Sequence, residues 1–78
     1  MPEVFRTKGY RFFFFSLEGN EPLHVHVEKA ENYAKLWLDS LAVARSRGFN
    51  SRELRDIQEL VEENRDRIER KWHEHFGS

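Results

Sequence analysis

No cysteine occurs in the chain, which excludes a disulfide scaffold and every zinc site built on thiolates. Long apolar runs are missing too. The longest, Phe12 to Phe15, is far too short to cross a membrane, so no membrane partner is expected. Residues 2–9 carry polar and charged groups among few apolar ones, which is not the pattern of a secretory leader; the expected location is the cytoplasm. An excess of one charge is also lacking. Thirteen Lys and Arg oppose fourteen Asp and Glu, for a formal charge of -1. A dedicated nucleic-acid binder carries a basic excess that displaces counterions from phosphate, so RNA is a disfavoured partner. The two halves differ little: residues 1–49 hold seven basic and six acidic groups, residues 50–78 six and eight. Neither is a polybasic arm or an acidic tail.

What is present is aromatic. Seven Phe, two Trp and two Tyr stand in 78 residues. A chain of this length forms one domain, here residues 1–78, and a single core of that size supplies only a few kcal/mol of net stability. The further support comes from a metal on His and carboxylates, from a partner chain, or from a well-packed aromatic core. The ring count favours the last, because each ring buries a large area.

Residues 1–49 read as sheet. Val4 to Thr7 is β-compatible, Lys8-Gly9 is a turn signal, and Tyr10 to Ser16 is the strongest strand. In that strand Phe12 and Phe14 share one face and Phe13 and Phe15 the other, so both faces call for cover. Leu17 to Pro22 is a polar loop. His24 to Lys29 alternates, with Val25 and Val27 opposite His24, His26 and Glu28. Glu31-Asn32 marks a turn. In Tyr33 to Leu38, Ala34, Leu36 and Leu38 lie opposite Tyr33, Lys35 and Trp37. Leu41 to Arg47 reads either as a short helix or as an extended segment ending at Gly48.

Residues 50–77 read as one C-terminal helix. Asn50 is placed as N-cap with Glu53 three positions on, a capping box. Phe49 and Leu54 suit a hydrophobic staple, and Leu54, Ile57, Val61, Asn64, Ile68, Trp72 and Phe76 follow helical spacing. Glu63–Arg67 and Asp66–Arg70 form i,i+4 pairs, and Gly77 is placed to end the helix. The expected fold is α+β: a four-stranded antiparallel β-meander packed against one long C-terminal α-helix. About 26 residues give roughly 39 Å of helix, against about 20 Å for a six-residue strand. The end with Trp72 and Phe76 therefore either meets another chain, a homodimer being one case, or folds back on the aromatic strand.

Candidate chemistry concentrates on His24, His26 and Glu28. Two His at i and i+2 of a strand point to one side, about 6.5–7 Å apart at Cα, within reach of one metal ion. Glu28 lies about 13 Å from His24 along a flat strand, so a third ligand has to come from Asp39, Glu31 or the helix. The plainer reading is a polar strand face whose imidazoles bond to neighbouring strands. The same pair also suits acid–base work on a phosphodiester, since His titrates near neutrality. His-x-His-x-Glu partly resembles the His-x-His-x-His of nucleotide-binding histidine-triad proteins, but the third His is replaced and the rest of that pattern is missing. His73 and His75 point about 200° apart on a helix and cannot chelate together; they read as an exposed helix end. Arg6, Lys8, Arg11, Lys35, Arg45 and Arg47, interleaved with Tyr10 and Trp37, suit stacking and phosphate contact, or equally an ordinary surface balanced by Glu3, Glu18 and Glu28. The Phe12–Phe15 run reads as core.

Tyr10-Arg11-Phe12-Phe13-Phe14-Phe15-Ser16, Pro22-Leu23-His24-Val25-His26-Val27-Glu28-Lys29, Ala34-Lys35-Leu36-Trp37-Leu38 and Ala44-Arg45-Ser46-Arg47-Gly48-Phe49 occur in an order that resembles the small bacterial family called domain of unknown function 4160. The resemblance covers nearly the whole chain. One departure is Leu23, where that family usually has a second Pro. The resemblance implies a cytoplasmic stand-alone domain, often encoded beside a second small domain. It thereby implies a toxin–antitoxin-like pairing, with His24 and His26 as family motif positions of unassigned role. The expected function is a protein-interaction module that takes another small protein as partner and needs no cofactor. Its candidate surface is Tyr10, Arg11, His24, His26, Glu28, Lys35, Trp37, Arg45 and Arg47 with the helix end at Trp72 and Phe76. The alternative is an RNA-directed or metal-assisted hydrolase using His24 and His26.

Overall fold

The computed structural model describes residues 3–15 and 20–77. Five strands and two helices follow one another: β1 (Glu3–Thr7), β2 (Tyr10–Phe13), β3 (His24–Lys29), β4 (Asn32–Trp37), β5 (Val43–Arg47), α1 (Ser51–Glu63) and α2 (Arg65–Phe76). The strands form one antiparallel sheet in chain order, β1-β2-β3-β4-β5. The α+β class is as the sequence indicates, but two counts change. The sheet has five strands where four are expected, and the single long helix is two.

The fifth strand comes from the ambiguous segment at Leu41. Leu41 takes a positive φ of 62°, which closes a tight loop: its N–H donates to the Trp37 carbonyl at 2.9 Å, and the Trp37 N–H donates to the Ala42 carbonyl at 3.0 Å. That loop reverses the chain, so Val43–Arg47 pairs back on β4 and cannot start a helix. Gln58 of α1 holds the loop down by donating from Nε2 to the Leu41 carbonyl at 2.7 Å.

The long helix breaks at Asn64. Its backbone leaves the helical region (φ -112°, ψ 20°), and its side-chain amide donates to the Leu60 carbonyl at 2.8 Å, which competes with the regular ladder. Immediately beyond the break, the Arg65 guanidinium donates to the Leu38 carbonyl, and Arg67 lies over the Phe5 ring at 4.9 Å. These contacts tie the start of α2 to Leu38 and to β1; the longest extent of the molecule is 34 Å. The capping box at Asn50 and Glu53 forms as read, with bonds of 2.8 and 3.0 Å. Gly77 ends α2 in the left-handed conformation. Phe49 packs on Tyr10 at 5.9 Å between ring centroids, and Leu54 packs on the same core. Among the described residues the helical ion pairs are Glu62–Arg65 and Lys71–Glu74. The expected Glu63–Arg67 pair straddles the break.

Strand β2 ends at Phe13. The sequence reading takes it to Ser16, and that residue lies outside the described ones, as do Leu17, Glu18 and Gly19 of the expected loop. Two tight hairpins set the register. Lys8 and Gly9, both at positive φ, join β1 to β2 in the manner of a primed turn, whose twist matches that of the strands. Ala30 at φ 56° opens the turn from β3 to β4.

Directly opposed residues share a face of the sheet. Phe5, Phe12, Val25, Val27, Ala34 and Leu36 occupy one face and join Ile57, Leu60, Val61 and Ile68 of the helices in the core. The other face carries two cross-strand rows. Phe13, His26, Lys35 and Arg45 form one, and Arg6, Arg11, Glu28, Tyr33 and Arg47 the other.

Candidate functional site

The second face holds the histidine strand. As the alternation requires, His24, His26 and Glu28 point to the side opposite Val25 and Val27. The surprise is burial: His24 is 0% and His26 1% exposed. Aromatic side chains supply the cover. The Phe13 ring stacks on His26 at 5.5 Å, Phe15 meets it edge-on at 4.4 Å, and Tyr33 stacks at 5.8 Å from the next strand. His24 lies between Trp37 at 5.6 Å and Trp72 at 5.1 Å. The two imidazoles are themselves perpendicular at 5.0 Å.

Hydrogen bonds fix both rings. His24 Nδ1 lies 2.8 Å from the Pro22 carbonyl oxygen. An oxygen of that kind only accepts, so Nδ1 carries the proton. Glu21 Oε1 is 3.8 Å from the same nitrogen. His26 Nδ1 and the Tyr33 hydroxyl share a bond of 2.7 Å. No buried side-chain nitrogen or oxygen among the described residues is without a partner. The pair is therefore brought together as the spacing indicates, but inside an aromatic cluster and away from solvent. Among the described residues no three His, Asp or Glu side chains are grouped to hold a metal ion.

Around this cluster the basic groups divide into paired and unpaired. Glu28 binds Arg11, with Oε1 accepting from Nη2 at 2.6 Å, and Arg11 in turn covers the Phe13 ring at 4.3 Å. Lys35 donates to Glu21 at 2.8 Å and lies 4.7 Å from the Trp37 ring centre. Arg6 pairs with Glu3 at 2.8 Å. Its hydrogen bonds hold the Glu3 carboxyl below the usual carboxylate range. Arg45 and Arg47 are exposed on β5 and make no ion pair among the described residues. They line a shallow groove with Phe15, Tyr33 and Ser46. Phe15, 38% exposed, is the one large apolar side chain standing out among the described residues.

The remaining sequence candidates lie apart. Tyr10 is on the helix side of the sheet, 6% exposed, beside a groove lined by Lys8, Lys29, Asp56, Glu59 and Glu63. Trp72 is buried against Phe14 at 5.2 Å, with Phe76 half-buried beside it. The helix end thus folds back on the aromatic segment, the second of the two arrangements its length allows. His73 and His75 are exposed in the last turn of α2. Sequence reading missed Phe15, assigned to the core, and Tyr33 and Glu21, which it did not single out. For Tyr33 the signal was available: a tight β3–β4 turn places it opposite Glu28 and one diagonal step from His26.

Comparison with known proteins gives one result. A family model described as Domain of unknown function (DUF4160) matches residues 9–73, a span that takes in the histidine strand, Arg11, Arg45 and Arg47, and α2 as far as His73. The chain matches no curated protein and no solved structure. It belongs to the DUF4160 family.

Proposed function

We propose, with membership of that family as the premise, that this protein is a non-catalytic interaction module, one half of a toxin–antitoxin-like pair with a second small protein encoded beside it. The observation that carries this reading is the burial of the histidine pair. Imidazoles at 0 and 1% exposure, each hydrogen-bonded and ring-packed, hold the sheet face in shape and cannot reach a substrate or an ion without unpacking it. What that face offers outward is contact surface: Phe15, the flanks of Tyr33 and Trp37, and the two arginines of β5. Large amphipathic rings and arginines are the side chains that dominate protein interfaces. The alternative of an RNA-directed or metal-assisted hydrolase needs His24 and His26 accessible, and their packing speaks against it.

The test is to mix the purified protein with the product of the adjacent gene and measure mass by light scattering. A heteromeric complex is expected, and monomers before and after mixing would overturn the reading. His24→Ala and His26→Ala are expected to lower the melting temperature, with added zinc or nickel leaving the wild-type value unmoved. A folded His24→Asn variant that loses an RNA-cleaving activity present in the wild type would establish the hydrolase instead.

A further inference from the structure

An edge strand presents one side of its backbone unpaired, a template for another strand. This sheet has two edges, β1 and β5, and they are built differently. On β1 the one basic side chain, Arg6, is neutralised by Glu3 in the same strand, and Phe5 is covered by Arg67 of α2. On β5, Ala44 to Arg47 are all exposed. Arg45 and Arg47 point to the same side of the sheet, and neither has an acidic partner among the described residues. Next to them lies the groove floored by Phe15 and Tyr33.

From this contrast we infer that β5 is the docking edge for an extended acidic segment of the partner, which adds a sixth strand to the sheet. The inference rests on the interaction-module reading and names the chemistry of the partner. Side chains at alternate positions of a strand lie about 6.5–7 Å apart on one face, the spacing of Arg45 and Arg47. Two carboxylates at i and i+2 of the incoming strand therefore meet both guanidinium groups. A second copy of this chain fits badly. Antiparallel pairing centred on Ser46 sets Arg45 opposite Arg47 of the copy, and directly opposed like charges destabilise a strand pair. Single-stranded nucleic acid also fits less well. Arg6, Arg11 and Lys35 on the same face are already neutralised by Glu3, Glu28 and Glu21, leaving two cations where a phosphate track needs a line of them.

The experiment uses three labelled probes: a peptide of alternating Glu and Val, its Lys and Val counterpart, and a uridine oligonucleotide. Binding is read by fluorescence anisotropy at low salt and by amide chemical shifts. The Glu–Val peptide is expected to bind, to shift amides of Val43–Arg47, and to weaken steeply with added salt. The double variant Arg45→Glu, Arg47→Glu changes two exposed positions, so circular dichroism should be unchanged. It is expected to lose roughly tenfold or more in affinity for the acidic peptide and to gain the basic one, as opposed charges across an interface require. The inference is overturned by equal or absent binding of the two peptides, by tighter binding of the oligonucleotide, or by self-association that the double variant abolishes. If the double variant still forms the complex with the neighbouring gene's product, the edge assignment fails and the module reading stands. If the wild type forms no complex, the module reading itself fails.

Discussion

At the scale of single residues, the most constrained positions are not the ones with the most chemistry. Gly48 takes φ +92°, and a Cβ there would lie 2.1 Å from Asn32 Oδ1. Gly48→Ala therefore combines left-handed strain with a clash against the Asn32 side chain, and a loss of about 1–2 kcal/mol is expected. A melting temperature within a degree of wild type would contradict this. Ala30, at φ 56°, is the converse case. Replacing it with Gly removes about 1–2 kcal/mol of left-handed strain and adds about 0.5–1 kcal/mol of unfolded-state entropy. Ala30→Gly should then raise the melting temperature by a few degrees, and a decrease would show that the turn is not strained. Tyr10 gives the fold an alkaline pH dependence. Burial pushes its phenol above the usual range, with Glu53 and Asp56 adding to the effect. The folded state holds that proton more tightly than the unfolded chain. Its contribution is complete below the unfolded value of about 10 and is lost as pH rises through the higher folded value. Tyr10→Phe should accordingly lose less stability than wild type between pH 8 and pH 11. Parallel losses in the two proteins would exclude Tyr10 as the cause.

At the scale of elements, the sequence was most legible where a local signal decides the outcome. The alternation of β3, the Lys8-Gly9 hairpin, the capping box at Asn50 and the stop at Gly77 are all decided within a few residues, and all are present. The burial of the histidines was not legible, because the cover of His24 includes Trp72 from near the other end of the chain, and period-two alternation assigns a side but not a depth. The helix break was half-legible. Asn64 sat on the expected apolar stripe, an odd place for an amide, and the length argument already required the end of the helix to go somewhere. The bend at Asn64 resolves that mismatch by turning Trp72 onto Phe14 and His24. Strand β5 stayed ambiguous because its pairing depends on a Leu in the left-handed region, which no propensity favours.

At the scale of the whole molecule, one side chain joins the two faces of the sheet. The helix-side core and the aromatic cluster meet at Trp72, 7% exposed. Trp72→Ala is expected to cost about 3–5 kcal/mol, comparable with the total stability of a domain this small. The variant should be largely unfolded at room temperature by circular dichroism, while Arg45→Glu, on the exposed edge, should melt near the wild-type temperature. A cooperatively folded Trp72→Ala protein would mean that the two clusters are independent.

The agreement of strand order with chain order bears on how the molecule comes to be. Each hairpin can zip onto its predecessor without waiting for a distant segment, so little loop-closure entropy is spent before contacts form. The exception is the meeting of α2 with β1 and Phe14, which joins opposite ends of the chain. The meander and α1 are thus placed to assemble first, and the docking of Trp72 to come last. Refolding followed by tryptophan fluorescence in a Trp37→Phe background would time that final closure directly.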